Sequence, residues 1–282
     1  VRAQGGIAFE YIEIAHEGLK MQGIIGGWGG DGVHLECAYD STVITILDNM
    51  RIVNCGGDAI EVQFGAGLGR TDVSNVEVRA CGGHGITVAS ALEATFDHVS
   101  SSENGGSGVL VSNTGMPPNA AGLAFDVAVR FEDIFCSRNG ADGITIDADD
   151  SATPVVSIHD ATCAQNTGNG VALDGDASVA NVRTTRNGLN GVACGHNPLN
   201  RPAYAHFSDS TSSGNGASGY VVQHRESQLE FICRGCSSSG NGLFGFSTTW
   251  TPGQGEYGSL LFERCESSLN GADGYSVAPS GP

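Results

Sequence analysis

The feature that most constrains this chain is a short phrase that recurs along it, Asn-Gly-x-x-Gly followed by a strand-like stretch. Full copies begin at Asn104, Asn139, Asn187, Asn215, Asn241 and Asn270, and the copy at Asn166 has Thr167 in the first glycine's place. The second glycine, called the anchor below, always lies four residues after the asparagine. With Gly32, Ala59 and Gly85 continuing the pattern upstream, ten anchors fall between 32 and 274, about one every 27 residues. A fixed period of this length indicates a solenoid or another repeat array.

Apolar residues form columns when the copies are aligned on the anchor. One residue after it stand Val33, Ile60, Ile86, Val109, Ile144, Val171, Val192, Tyr220, Phe246 and Tyr275. The residue three after the anchor is also mostly apolar, and the one between is mostly polar or small, which is the alternation of a half-buried strand. Further apolar columns lie eight and five residues before the asparagine. Each coil therefore contributes more than one short strand, and Gly/Asn turns that tolerate positive φ are expected between them.

These columns predict an all-β fold, a parallel β-helix (a single-stranded solenoid) of about ten coils of about 27 residues. We expect one domain over 1–282, with an irregular first coil at 1–30 and regular coils over 31–278. A leucine-rich repeat would need a regular leucine ladder and a helix in each unit, and no ten-residue stretch has helical periodicity. Bare β-helix ends expose strand edges. The chain is thus expected to be a fragment of a longer chain or part of a larger assembly.

Composition excludes several classes of partner. The net charge is −18 with a single lysine, Lys20, which opposes binding to nucleic acid or to anionic lipid. No apolar run approaches the 18 residues of a membrane span. Most of the nine cysteines fall in core columns, so they are expected to be buried free thiols rather than disulfides. The CxxC spacing of Cys233 and Cys236 has no second pair to complete a zinc set.

The anchored coils over 31–278 resemble the pectate-lyase-like superfamily of right-handed parallel β-helices. That superfamily holds pectate lyases, polygalacturonases, alginate epimerases and many phage tailspikes. The resemblance implies a right-handed solenoid and a polysaccharide or cell-surface glycan as partner. It also implies an extracellular, cell-surface or virion location, and a homo-oligomer such as a trimer. A fold alone does not specify an activity.

Three residues directly before successive anchors resemble part of a polygalacturonase-type site, in which carboxylates act as general acid and base. Asp31 and Asp58 match two of the acids, and His84, within Gly-His-Gly, matches the histidine. The resemblance therefore implies catalytic roles for these three residues. The chain departs from that pattern at Gly57, where a further Asp is expected, and has no basic residue over 109–112. A short polar residue before a turn glycine also has a purely structural explanation.

A candidate substrate groove follows the outward positions of the first anchor strands. His34, Glu36, Glu61 and Gln63 are expected there, in coils about 4.8 Å apart. Four insertions follow anchor strands at the same point of the repeat, and insertions in solenoids often border the binding face. They add two aromatic candidates for sugar stacking, Tyr204 and Trp250. The alternatives are a solvated charged strip and rings that pack the loops down.

A second acidic cluster predicts a metal site. Asp147 and Asp149 lie on one coil, and Asp174 and Asp176 lie at nearly the same columns of the next. Converging carboxylates without nearby basic residues favour calcium. Solvated, turn-forming aspartates are the alternative.

Two classes of function therefore compete at this stage. One is a β-helix that recognises a polysaccharide and cleaves it, as a hydrolase or as a calcium-dependent lyase or epimerase. The other is a non-catalytic spike or adhesin rod. A tailspike-like protein that recognises glycan, with or without cleavage, reconciles most of these features.

Overall fold

The structure is a computed structural model that describes residues 6–15, 18–26, 30–37, 44–64, 69–113, 125–148, 152–195, 203–225, 229–251 and 258–279. These ranges contain strands and turns and no helix. Accordingly, no helix in the described ranges is long and apolar enough to cross a membrane. The predicted all-β parallel solenoid is confirmed.

The described ranges hold twenty-five strands, numbered in chain order, which form two sheets of ten and fifteen strands. The ten-stranded sheet, called the anchor sheet, holds the strand that follows each anchor. Its members are β3 (Val33–Cys37), β5 (Ile60–Phe64), β7 (Ile86–Ala89), β9 (Val109–Asn113), β11 (Ile144–Ala148), β13 (Val171–Leu173), β16 (Val192–Cys194), β19 (Tyr220–Arg225), β22 (Phe246–Thr251) and β25 (Tyr275–Pro279). They pair in that order, each parallel to the strand one coil away.

The other sheet, called the long-strand sheet, holds the strands that precede each turn. They are β1 (Gly6–Ala15), β2 (Gly18–Gly26), β4 (Ile44–Val53), β6 (Gly69–Arg79), β8 (Ala91–Ser102), β10 (Phe125–Ser137), β12 (Ala152–Ala164), β14 (Asp176–Ala180), β15 (Arg183–Thr185), β17 (Ala203–Ser208), β18 (Thr211–Ser213), β20 (Leu229–Arg234), β21 (Ser237–Ser239), β23 (Gly258–Glu263) and β24 (Glu266–Ser268). β1 pairs antiparallel with β2. The rest of the sheet is parallel, so the expected irregular first coil begins as a hairpin at the sheet edge.

The residues of a predicted column pair with one another on neighbouring strands of a sheet. The column eight residues before the asparagine runs, in paired neighbours, through Leu47, Val73, Phe96, Phe131, Ile158, Val179, Phe207, Cys233 and Phe262. All but the last are at most 1% exposed. Phe96 and Phe131 stack with ring centroids 4.8 Å apart. Like residues therefore stack on like along the solenoid and fill the space between the two sheets.

The seven asparagines form a continuous ladder, in which the first six are buried and Asn270 is partly exposed. In each step the backbone N–H and the side-chain amide of one asparagine donate to Oδ1 of the asparagine one coil on. Cys81 continues the file upstream, because its N–H donates to Asn104 Oδ1 at 3.0 Å. The ladder satisfies backbone groups that the sharp turn removes from the strand pairing.

The expectation of positive φ in Gly/Asn turns is wrong for the repeated glycines. Among the described glycines, only Gly175, Gly214, Gly235 and Gly240 have positive φ. A Cβ on Gly105 would lie 2.1 Å from the carbonyl oxygen of Gly82 in the preceding coil. The motif needs glycine there because neighbouring backbones approach closely. The residue before each asparagine is the one that takes positive φ, as Glu103 and Arg138 do.

The coil count differs from the predicted ten coils of about 27 residues. About seven turns keep a repeat of roughly 27 residues. Three steps between paired anchor strands depart from it: Ile86 to Val109 takes 23 residues, Val109 to Ile144 takes 35, and Val171 to Val192 takes 21. The parallel pairing tolerates these differences because the extra or missing residues fall outside the paired segments.

The eight cysteines with described side chains are all free thiols, and seven of them are buried. Cys136 and Cys163 are direct partners in β10 and β12 and are 0% exposed. This confirms free thiols for those eight and burial for seven of them. The side chain of Cys37, the ninth cysteine, lies outside the described side chains.

Candidate functional site

The predicted groove residues form one outward row on the first two anchor strands. β3 and β5 pair in register, so His34 lies beside Glu61 and Glu36 lies beside Gln63. Their sequence neighbours Val33, Leu35, Ile60 and Val62 are buried. The four polar side chains therefore share the outer face of the anchor sheet. His34 and Glu61 are partly exposed, whereas Glu36 and Gln63 are exposed.

Asp31, His34 and Glu61 form the tightest polar cluster of this row. His34 Nδ1 lies 2.6 Å from Glu61 Oε2 and 3.6 Å from Asp31 Oδ2. The three side chains are 30–35% exposed. Among the described residues, this is the one group of three or more His, Cys, Asp or Glu side chains whose ligand atoms all lie within 4.8 Å of one another.

Asp31, Asp58 and His84 lie in one file, but backbone groups connect them. The N–H of Asp58 donates to Asp31 Oδ1 at 2.8 Å, and the N–H of His84 donates to Asp58 Oδ1 at 2.7 Å. The N–H of Ser107 donates to His84 Nδ1 at 2.9 Å. An imidazole nitrogen that accepts a hydrogen bond carries no proton, so neutral His84 holds its proton on Nε2. Each of the three side chains therefore caps the backbone of the next coil.

The second carboxylate oxygen of Asp58 is also engaged. Thr87 Oγ1 donates to Asp58 Oδ2 at 2.6 Å. Thr87 stands opposite Glu61 in the neighbouring strand β7 and is only 8% exposed. Both oxygens of Asp58 thus accept hydrogen bonds from the coil that follows. The hydroxyl of Thr87 was not anticipated from the sequence, although its position two residues after an anchor already placed it on the outer face.

The same file continues down the solenoid without an acid–base pattern. The N–H of Asn190 donates to Asn169 Oδ1, and the N–H of Ser218 donates to Asn190 Oδ1. Asp142 accepts in the same way from Asn169. Any short side chain with an acceptor fits this position, so the file has a structural function along its length.

Glycines make room for this file. A Cβ on Gly57 would lie 2.1 Å from Asp31 Oδ1, and one on Gly83 would lie 2.1 Å from Asp58 Oδ1. Gly57 occupies the place where the polygalacturonase-type pattern has another Asp. In this geometry a side chain at position 57 displaces the Asp31 carboxylate, which explains the departure from that pattern.

The aromatic candidates are not brought to this row. Tyr204 lies on β17 of the long-strand sheet and is 44% exposed. Its ring packs edge-on against the ring of His206, with 6.5 Å between the two ring centroids. Trp250 belongs to β22 of the anchor sheet, opposite His224 and Pro279, and its side chain lies outside the described ones. Most residues of the four insertions also lie outside the described ranges.

Of the four aspartates predicted to bind calcium, Asp147, Asp174 and Asp176 lie in the described ranges. Asp147 is exposed at the end of β11, Asp174 follows β13, and Asp176 begins β14 of the other sheet. Asp176 Oδ1 accepts the N–H of Tyr204 at 3.0 Å. Asp149 lies outside the described residues. The other three form no group with ligand atoms within 4.8 Å.

The grouping of Asp31 with His34 and Glu61 was not predicted from the sequence. Asp31 was expected in the file before the anchors, and the other two residues were expected in the groove. The spacing held the necessary information, since Asp31 and His34 are three residues apart and Glu61 follows His34 by one repeat of 27 residues.

Comparisons with known proteins show likeness at the level of the solved structures only. No family model and no curated protein matches the chain. A double mutant of the periplasmic alginate epimerase AlgG is 13% identical, with 96% of this chain and 78% of that chain covered and a TM-score of 0.42. The Azotobacter vinelandii mannuronan C-5 epimerase AlgE4 A-module is 13% identical, with 92% and 91% covered and a TM-score of 0.35. Tailspike protein 3 of bacteriophage CBA120 is 12% identical, with 95% and 53% covered and a TM-score of 0.35. With all three TM-scores below 0.5, these comparisons do not identify site residues in this chain.

Proposed function

We propose that this chain is a β-helix that binds a polysaccharide along the outer face of its first anchor strands. The observation that carries the proposal is the outward row of His34, Glu36, Glu61 and Gln63, which two paired strands hold in register. Imidazole, carboxylate and amide groups all form hydrogen bonds with sugar hydroxyls. An extended ligand suits this surface because the row runs across neighbouring coils.

The sheet supports binding by holding the row rigid. Each outward side chain stands between residues that are buried in the core, such as Leu35 and Val62 at 4% and 0% exposed. Because the backbone is fixed on both sides, little conformational entropy is lost when a ligand binds.

Charge favours a neutral polysaccharide. Glu36, Glu61 and Asp31 are the formally charged groups of the row and its border, and the whole chain carries −18. A negative surface repels polyanions. A uronate polymer is therefore a poorer ligand than a neutral one in the absence of a bridging cation.

The contacts favour binding without cleavage. Asp58 and His84, the two residues assigned to proton transfer along with Asp31, accept backbone hydrogen bonds in the file that runs along the solenoid. A glycan-binding spike or adhesin is therefore our preferred form of the function. An extracellular, cell-surface or virion location follows from the proposal, because the polysaccharides of cell surfaces lie there.

The test is affinity electrophoresis of the full chain through gels containing neutral or uronate polysaccharides. Gln63→Ala and Glu36→Gln are expected to weaken retardation by a neutral polysaccharide about tenfold or more. Glu132→Gln is the matched control, because Glu132 lies on β10 of the other sheet and pairs with Arg130 at 3.0 Å. Retardation that is unchanged in both row variants, or absent with every neutral polysaccharide, would refute the proposal.

Turnover is tested in the same samples by counting the reducing ends released. We expect none from the wild-type chain. Release by the wild type that Asp58→Asn abolishes would overturn the binding-only form, because general acid–base catalysis contributes about 10²–10⁴-fold.

A further inference from the structure

We infer that Asp31, His34 and Glu61 form a binding site for a divalent transition-metal ion such as Zn²⁺. The site joins the first two anchor strands on the outer face of the solenoid. The inference does not depend on glycan binding, and it differs from the calcium site predicted at Asp147, Asp149, Asp174 and Asp176.

The distances fit one ion. His34 Nδ1 is 2.6 Å from Glu61 Oε2 and 3.6 Å from Asp31 Oδ2, and all three ligand atoms lie within 4.8 Å of one another. Zinc holds nitrogen and oxygen ligands at about 2.0–2.2 Å in a tetrahedron, which places neighbouring ligand atoms about 3.3–3.6 Å apart. The His34–Asp31 separation is already at this distance, and the His34–Glu61 contact reaches it by widening about 0.7 Å.

The ligands are held from behind by the fold. His34 and Glu61 stand opposite each other in paired strands, so the register fixes their relative position. Asp31 directs Oδ2 toward His34 while its other oxygen, Oδ1, accepts the N–H of Asp58 at 2.8 Å. Outer-shell hydrogen bonds of this kind orient metal-bound carboxylates and strengthen binding.

The ligand types select the class of ion. One imidazole nitrogen and two carboxylate oxygens suit zinc and its first-row neighbours, whereas calcium takes six to eight oxygen ligands. The two carboxylates balance the charge of a divalent ion. Three protein ligands leave a coordination position for water, which is the open arrangement typical of zinc sites that contact a further ligand.

His98 provides an internal contrast. It also lies near two carboxylates, but its Nδ1 contacts Asp97 at 2.6 Å and its Nε2 contacts Asp133 at 3.4 Å. The two carboxylates are on opposite edges of the ring, so no single ion reaches both together with one nitrogen. His98 therefore serves as a matched control for a histidine in an acidic setting.

The experiment is calorimetric titration of the EDTA-stripped full chain with Zn²⁺, together with Co²⁺ absorption spectra. We expect one equivalent of bound metal. His34→Ala and Glu61→Gln are each expected to weaken binding at least tenfold, because even outer-shell changes cost about 10–100-fold. His98→Ala should bind as the wild type does. Glu61→Gln keeps a hydrogen-bond acceptor for His34, and circular dichroism checks that each variant is folded.

The cobalt spectrum separates this site from the cysteines. Binding at Asp31, His34 and Glu61 gives visible d–d bands without intense near-ultraviolet thiolate bands. Thiolate bands that persist in His34→Ala would place the ion on cysteine and overturn the inference. It would also be overturned if both ligand variants bound Zn²⁺ as tightly as the wild type, or if no metal bound.

Discussion

Replacing Asn187 by alanine removes a central rung of the asparagine ladder. The Asn187 side chain accepts from the backbone N–H and the Nδ2 of Asn166, and it donates to Cys163 O and to Asn215 Oδ1, all at 3.0 Å. The side chain is 2% exposed, so water cannot replace these partners. Alanine leaves the Asn166 N–H without its hydrogen-bond acceptor in the interior.

The expected loss of stability follows from this count. Four hydrogen bonds are removed at about 1 kcal/mol net each, or about 4 kcal/mol in all. We therefore expect a loss of about 3–5 kcal/mol, a large part of the roughly 5–15 kcal/mol that stabilises a typical domain. Asn270→Ala is the control, because Asn270 lies partly exposed in the last described coil. It should cost about 1–2 kcal/mol, since water substitutes for part of what is lost.

Two measurements check this prediction. Urea unfolding followed by far-ultraviolet circular dichroism gives the change in the unfolding free energy. Hydrogen exchange locates it, because solenoids unfold in segments and a single free energy is then incomplete. Protection should fall in the coils on both sides of Asn187. A loss below about 1 kcal/mol with unchanged exchange in those coils would refute the reasoning.

Three further predictions concern the core. Phe131→Ala should lower the free energy of unfolding in urea by about 3–5 kcal/mol, because Phe131 is 0% exposed and stacked on Phe96. Phe135→Ala is the control and should change that free energy by close to zero, because Phe135 is 46% exposed. Burial holds the pKa of Tyr220 well above its usual value of 10.0, so only the unfolded state ionises near pH 10 and stability falls as the pH rises further. Tyr220→Phe should lessen that alkaline loss in urea titrations at pH 8–11, and an identical pH profile would contradict it. Thiol titration in denaturant should find at least eight reactive cysteines, because the eight described are free; four disulfides would contradict this.

The register of the solenoid was predictable because it depends on how far each residue lies from its anchor. Residues at the same offset from the anchor, such as Phe96 and Phe131, must stack once the coils are parallel, whatever the insertions between them. The asparagine ladder forms for the same reason, because its residues share one offset from the anchor. Coil length was less predictable, since the 35 residues from Val109 to Ile144 keep the register without keeping the period.

The candidate site was only partly predictable, because the period fixes a backbone position and leaves side-chain direction open. Asp31 has two acceptor oxygens, and the sequence does not say that one binds the N–H of Asp58 and the other faces His34. The role of Gly57 could not be predicted from the sequence either. A side chain at position 57 would clash with Asp31 in the preceding coil, and rules for local turns do not describe contacts between coils.

The asparagine ladder also bears on how the protein ages chemically. Asn-Gly sequences deamidate when the glycine nitrogen attacks the asparagine side-chain carbonyl. In the ladder that nitrogen is occupied, as where the N–H of Gly188 donates to Asn166 O at 2.8 Å, while the Asn187 carbonyl holds two donors from Asn166. The interior turns are thus shielded from a reaction to which the unfolded chain is prone. Within the ladder, the partly exposed Asn270 is where conversion to aspartate or isoaspartate should begin.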